Sequence, residues 1–226
     1  MSAGNGDLRA YTRITLRPIG SPLPLGLLAL MCASVLLSLQ QVGALKTSDG
    51  RAIAFILLGF VVPLQFVACV LSFLARDTVA GTGLGLFSGA WLSTALVILT
   101  SPPGSTSAAL GCFLFALAGS MLVLVAAASF GKAGPALVIV AGAARFLVSG
   151  LYETSASKGI EHGAGIVGFA LAATALYAAL ATIVEDVQGE ARLPLGRRAK
   201  AAEALAGPFD RQLDALEHEA GVRQQL

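Results

Sequence analysis

The sequence predicts an all-α, polytopic membrane protein in which six transmembrane helices form a bundle. Hydrophobic residues make up 56% of the chain and charged residues only 12%, whereas a soluble domain carries about 25% charged residues. A helix needs roughly 20 apolar residues to cross a hydrocarbon layer about 30 Å thick. Six continuous apolar stretches meet or approach that length. These stretches are 24–45, 52–74, 80–100, 109–130, 135–152 and 163–184.

The basic residues predict the orientation of the bundle. Eleven of the 15 lysines and arginines lie before the first stretch, after the last one, or in loops on that same side. Only Lys46, Arg51 and Lys158 lie on the other side, and Arg145 lies inside a stretch. Because cytoplasmic flanks are enriched in basic residues, both termini are expected in the cytoplasm. The expected divisions are a cytoplasmic N-terminal segment at 1–21, a six-helix domain at 22–190 and a cytoplasmic tail at 191–226.

The first stretch begins with two prolines, Pro22 and Pro24. Proline is well tolerated at the start of a helix, where its missing N–H would have no partner within the helix. The stretch is longer than the apolar region of a secretory signal, about 7–15 residues, and five more stretches follow it. We therefore expect it to be retained as the first transmembrane helix.

The second and third stretches carry features of helix packing. Pro63 lies in the middle of helix two and frees a carbonyl, which neighbouring groups must satisfy inside a membrane. With Gln65 it forms either a packing kink with an interhelical hydrogen bond or part of a water-filled pathway. In helix three, Gly85 and Gly89 form a GxxxG pattern that favours close contact between helices, within the bundle or between subunits.

Arg145 is the principal candidate functional residue, because it lies near the middle of helix five. Insertion scales give a cost of about 2.5–3.5 kcal/mol for arginine at that depth. Arg145 either bonds to carbonyls freed elsewhere, for instance near Pro63, or extends to the interface, or attracts an anion to a pore. A guanidinium matches a carboxylate with two parallel hydrogen bonds. His162, near the start of helix six, is either merely solvated or able to sense protons.

The sequence gives no indication of catalysis. It has no GxSxG, HExxH, Walker or CxxC motif, so an enzyme is not expected. The three cysteines, Cys32, Cys69 and Cys112, lie inside predicted helices without the spacing of a metal site. No cofactor, metal or nucleic-acid partner is therefore expected.

Several motifs resemble those of the acetate/succinate transporter (AceTr) family. Its entry signature, Asn-Pro-(Ala/Val)-Pro-Leu-Gly-Leu, is matched at 21–27 with Ser21 and Leu23 as departures. The matching motif residues are Pro22, Pro24, Leu25 and Gly26, and further similarity occurs at 36–43, at Gln65, at 81–91, at Ala164-Gly165 and at Tyr177 before Glu185-Asp186. The resemblance covers roughly 21–195 and identifies the chain as a divergent relative.

This resemblance implies six helices that carry acetate or related small carboxylates across a membrane. It also implies a homo-oligomer, a hexamer, in which each subunit has its own pore and passage is proton-linked or channel-like. Ungapped matching places the family's pore-narrowing side chains at Leu30, Phe87 and Ala144, and we add Gln65 and Arg145 as pathway residues. The expected location is the plasma membrane of a bacterium, as a multi-pass protein.

Three functional hypotheses follow. The first is a transporter or channel for small monocarboxylates such as acetate, with succinate as a further solute. The second is a channel for small neutral solutes, such as urea or short amides. The third is a non-transporting scaffold that recruits a partner through an amphipathic helix in its tail. The apolar stripe of that helix is Phe209, Leu213, Leu216 and Ala220.

Overall fold

The computed structural model describes residues 20–128, 133–188 and 192–196. In those residues it contains six helices that are long and apolar enough to cross a membrane. A 3₁₀ turn, Thr47–Asp49, leads into the second helix, which continues through a π-helical segment, Leu57–Val61. The helices are α1 (Leu23–Gln41), α2 (Gly50–Ile56, Leu57–Val61 and Val62–Leu74), α3 (Thr78–Thr100), α4 (Ala108–Ala128), α5 (Ala133–Ser155) and α6 (Lys158–Gln188).

The six helices form a closed ring. Each helix packs on the next one in the chain, and α6 packs extensively on α1, which closes the ring. In the described residues, helices on opposite sides of the ring, such as α1 and α4 or α2 and α5, do not pack extensively on each other. Side chains from all six helices instead meet in one buried hydrophobic cluster on the ring axis, which includes Leu30, Leu57, Phe87, Met121, Phe146 and Leu171.

Some helices end at other residues than the apolar stretches do, because backbone hydrogen bonding and not hydropathy determines where a helix ends. The first helix ends at Gln41, four residues before the predicted end, because Gly43 adopts a left-handed conformation with φ of 80°. The amides of Gly43 and Ala44 there donate to the carbonyls of Gln40 and Leu39, as is common at helix C-termini.

The opposite difference occurs between α5 and α6. The fifth helix continues to Ser155 and the sixth begins at Lys158, so that two residues connect them. Lys158 and Glu161 form an ion pair of 2.7 Å in the first turn of α6. Polar residues therefore extend both helices beyond their apolar stretches. His162 lies on the exposed surface of that turn.

The π-helical segment of α2 and the turn that follows it form hydrogen bonds with neighbouring helices. The amide of Val62 donates to the carbonyl of Leu57, the i to i−5 pattern of a π-helix. Ser88 of α3 donates to the carbonyl of Val62 over 3.1 Å, and Gln65 donates to the carbonyl of Gly26 on α1 over 3.3 Å. The interhelical hydrogen bond considered for Gln65 is therefore present.

The two glycines of the GxxxG pattern have different surroundings. A Cβ atom at Gly85 would lie 3.0 Å from the sulfur of Cys69, so this glycine permits close packing of α3 on α2. A Cβ atom at Gly89 would meet nothing within 4 Å in this chain. Gly85 thus serves packing within the bundle, and Gly89 leaves an open position on α3.

Candidate functional site

A cavity of about 240 Å³ enters the ring from the end formed by the α1–α2, α3–α4 and α5–α6 connections. Its rim consists of residues from these three connections and from adjacent helix ends. Rim residues include Thr47, Ser48, Arg51, Pro102, Gly104 and Lys158. The cavity is therefore open at one end of the bundle.

The α5 face of the cavity carries Arg145, Phe146, Ser149, Tyr152 and Glu153. This spacing of one, three and four residues places all five on one side of a helix. At a rise of 1.5 Å per residue, Arg145 lies about 12 Å further in than Glu153. The cavity thus reaches from the helix end to the middle of α5.

Glu153 and its neighbours fix the rim. One carboxylate oxygen of Glu153 accepts a hydrogen bond of 2.7 Å from the amide of Ser107, the residue before α4. The Ser107 hydroxyl in turn accepts from the amide of Leu110 over 3.3 Å. A carboxylate at a helix N-terminus is stabilised by the unsatisfied amides and the helix dipole. Glu153 therefore ties α5 to the start of α4.

Arg145 lies at the inner part of the cavity and is only 2% exposed. Its Nη1 atom donates to the carbonyl of Ala164 on α6, which does not lie near Pro63. Within the described residues, no carboxylate forms an ion pair with Arg145. A guanidinium has five N–H donors, so most of them have no protein partner there. This leaves a buried positive charge facing a cavity.

Gly168 makes room for this arginine. A Cβ atom at Gly168 would lie 3.0 Å from Arg145 Nη1 and would collide with the hydroxyl of Ser38. Ser38 is fully buried on α1. Because Gly168 of α6 has no side chain, the guanidinium of Arg145 and the hydroxyl of Ser38 can both lie against this position of α6.

Other buried polar atoms in and near the cavity have no partner within the described chain. Three of them belong to cavity-lining residues, namely Trp91 Nε1, Ser149 Oγ and Gln41 Oε1. Two more, the hydroxyls of Ser34 and Ser38, lie on α1. Most buried polar groups in proteins are hydrogen-bonded, so these atoms have hydrogen-bonding capacity that water or a polar solute can use.

An aromatic cluster lies against the inner part of the cavity. The ring of Phe87 stacks on Trp91 with centroids 6.4 Å apart and lies 5.2 Å from the ring of Phe146. Gly142 permits this arrangement, because a Cβ atom there would collide with the Phe87 ring. Trp91 and Phe146 line the cavity and Phe87 lies behind them.

The sequence-predicted site residues fall into two groups. Leu30, Phe87 and Arg145 are buried, and Phe87 lies directly behind the cavity that Arg145 lines. Gln65 is fully buried but does not line the cavity, since α2 directs it toward α1. Ala144 is only half-buried and does not belong to the central cluster.

Most cavity-lining residues were not predicted as site residues, and Trp91, Phe146 and Ser149 are the most informative of them. The signal for Ser149 was available, because it lies four residues after Arg145 and thus on the same face of a helix. The position of Trp91 depends on how α3 packs in the ring. No group of three or more potential metal-ligating side chains occurs in the described residues.

The sequence model of the GPR1/FUN34/yaaH family matches residues 4–194. The chain is 26% identical over 183 residues to the succinate-acetate/proton symporter SatP of Escherichia coli strain K12, covering 79% of this chain and 96% of that protein. The SatP protein of Shigella flexneri matches to the same extent. The solved structure of the bacterial acetate channel SatP superimposes with a TM-score of 0.70 at 24% identity, covering 79% of this chain and 99% of that one.

These comparisons confirm the predicted architecture, a six-helix membrane bundle. The related proteins are transport proteins rather than enzymes, and they are bacterial. They therefore support the expectation that the chain is not an enzyme and that it is a multi-pass protein of the plasma membrane.

Proposed function

Because the chain belongs to the GPR1/FUN34/yaaH family, we propose that it carries acetate and other small monocarboxylates across the plasma membrane, with succinate as a further candidate solute. The relatives named as a succinate-acetate/proton symporter and an acetate channel support this assignment. The observation in this chain that carries it is the buried Arg145, which faces a cavity without a carboxylate partner in the described residues.

The chemistry of the solute explains why a buried cation is useful. A small carboxylic acid has a pKa of about 4, so nearly all of it is an anion at neutral pH. A protein path must replace the hydration of that anion with dipoles or a positive charge. Arg145 supplies the charge and two parallel donors of the kind that carboxylates accept.

The proposed path runs from the cavity to Arg145 and then past the aromatic cluster toward Leu30. The hydroxyls of Ser38 and Ser34 lie one helical turn apart on α1, and Leu30 lies one turn beyond them. Their unpartnered oxygens offer successive hydrogen-bonding positions along α1. Phe87 and Leu30 then form a narrow apolar barrier that selects by size. Ala144 and Gln65 remain secondary pathway positions in this proposal.

The proposal places both termini in the cytoplasm, as the distribution of basic residues predicts. The cavity then opens to the outside. We also propose a homo-oligomer, a hexamer in which each subunit has its own path. The closed ring of six helices within a single chain supports one path in each subunit. The open position at Gly89 would admit close contact with a second copy.

The two other functions find less support. An uncharged solute such as urea gains little from a buried guanidinium, whose desolvation is costly. The tail on which a scaffold would depend, 197–226, lies outside the described residues. The monocarboxylate proposal therefore accounts for the feature that neither alternative explains.

Flux measurements with purified protein in lipid vesicles test the proposal. Uptake of labelled acetate at pH 7.5 is expected to exceed uptake by protein-free vesicles at least tenfold, and uptake of labelled urea is expected to match that of protein-free vesicles. An inward proton gradient that drives acetate above equilibrium would identify proton coupling, whereas simple equilibration would identify a channel. Urea flux without acetate flux would overturn the proposal in favour of a neutral-solute channel.

A further inference from the structure

The inner half of the cavity is lined by three buried residues whose side chains can donate hydrogen bonds. Arg145, Trp91 and Ser149 are 2%, 3% and 9% exposed, and all three line the cavity. The indole nitrogen of Trp91 and the hydroxyl of Ser149 are both unpartnered. Burying a donor without a partner is unfavourable, so these two groups, in a cavity lined by a guanidinium whose one protein partner is the carbonyl of Ala164, indicate a missing acceptor.

The chemistry of these groups narrows the identity of that acceptor. Indole and guanidinium N–H groups only donate, and a serine hydroxyl can donate as well. Together they suit a negatively charged group with at least two acceptor oxygens. A neutral amide of the same size would place an NH₂ group, which needs acceptors, against at least one of these donors.

The two carboxylates and the Gln41 amide that line the cavity lie nearer its mouth. Glu153 lies about two helical turns, or 12 Å, outward from Arg145 along α5, whereas Ser149 lies about one turn, or 6 Å, from it. Gln41 is the last residue of α1, and Glu161 lies in the first turn of α6, where it pairs with Lys158. The carboxylates are therefore separated from the inner donors along the path.

We propose that Arg145, Ser149 and Trp91 form one carboxylate-binding site, in which the guanidinium and the two neutral donors share the two carboxylate oxygens and the apolar end of the solute contacts Phe146. This inference rests on the proposed function and adds to it two binding residues and a rule for selection. The site discriminates by charge and donor pattern, so that acetate binds and acetamide, which has the same shape, does not.

The stacking of Trp91 on Phe87 does not by itself explain the position of the indole. Stacking uses the faces of the rings, which would leave the N–H free to find a protein partner. A phenylalanine would stack equally well. The same reasoning applies to Ser149, because a serine in a helix commonly bonds back to the preceding turn, as Ser72 does to Ala68 over 2.7 Å.

Trp91 is the only tryptophan of the chain, so its fluorescence reports directly on this site. Purified full-length protein in lipid nanodiscs is titrated with sodium acetate and with acetamide at constant ionic strength. Acetate is expected to change the emission saturably, and acetamide is expected to leave it unchanged at the same concentrations. An equal response to both solutes would overturn the proposal.

Two variants separate binding from packing. Ser149→Ala is expected to raise the half-saturating acetate concentration about tenfold in both fluorescence and vesicle flux, since it removes one hydrogen bond to a charged group. Trp91→Phe keeps the stacking on Phe87. It is expected to raise the acetate concentration that gives half-maximal vesicle flux by a similar factor. Ser72→Ala, the same change at a buried serine outside the cavity, is expected to leave both values within twofold.

The outcomes distinguish this site from the proposed function. Acetate flux in the wild type, with half-saturating values unchanged in Ser149→Ala and Trp91→Phe, would overturn the site and leave the function standing. A saturable response of Trp91 to acetate, weakened in Ser149→Ala but without flux in the wild type, would support the site and overturn the function.

Discussion

Replacement of Arg145 by glutamine is expected to reduce acetate flux at least tenfold, and about a hundredfold if all of its contacts to the anion are lost. Hydrogen bonds to charged groups contribute about 1.5–3 kcal/mol each, and 1.4 kcal/mol corresponds to a tenfold change. Glutamine retains one donor for the carbonyl of Ala164 but removes the positive charge. The measurement is initial acetate uptake by vesicles that contain equal amounts of protein.

Arg145→Lys serves as the matched comparison for Arg145→Gln. Lysine keeps the charge and loses the planar pair of donors, so its flux is expected to lie between those of the wild type and Arg145→Gln. Thermal unfolding in detergent checks that all three proteins are folded. Unchanged acetate flux in a folded Arg145→Gln protein would assign Arg145 a structural role, as the partner of Ala164.

Replacement of Phe87 by alanine is expected to admit bulkier carboxylates. Phe87 is buried between Trp91 and Phe146 behind the cavity. Replacing it with alanine removes the phenyl ring and leaves its volume open in the proposed barrier. Uptake of butyrate and benzoate relative to acetate is expected to rise about tenfold or more. Loss of a buried phenylalanine also costs about 3–5 kcal/mol of stability, so the midpoint of thermal unfolding is expected to fall.

Two further variants control for that loss of stability. Phe87→Leu removes less volume and is expected to give a smaller change in selectivity with less destabilisation. Phe66→Ala makes the same substitution on α2 at a side chain that is 60% exposed, and it is expected to leave selectivity unchanged. If Phe87→Ala transports with wild-type selectivity, the barrier lies elsewhere on the path.

The six membrane spans could be predicted from the sequence because the apolar stretches have the length that a bilayer imposes. Their ends could not. The chain from Val42 to Leu45 is largely apolar, yet α1 ends before it, since Gly43 reverses the backbone. Hydropathy measures the polarity of side chains, whereas a helix ends where its hydrogen-bonding pattern changes.

The candidate site was only partly predictable for a related reason. Arg145 stands out in any reading, because a charge inside an apolar stretch is costly. Its surroundings depend on tertiary packing: Gly168 on α6 and Ser38 on α1 approach it from segments far away in the sequence. Gln65 is also polar, but on α2 its side chain bonds to the carbonyl of Gly26 and does not line the cavity. Residue type therefore predicts candidates, and the ring of helices selects among them.

Blocking the cavity by chemical modification tests most directly whether small carboxylates cross through it. A version without the three native cysteines would carry Ser149→Cys in the cavity, and acetate flux would be compared before and after treatment with a water-soluble thiosulfonate reagent. The account predicts that modification removes most of the flux, that acetate slows the modification, and that the cysteine-free parent is unaffected. Complete modification of the cysteine with undiminished acetate flux would contradict it.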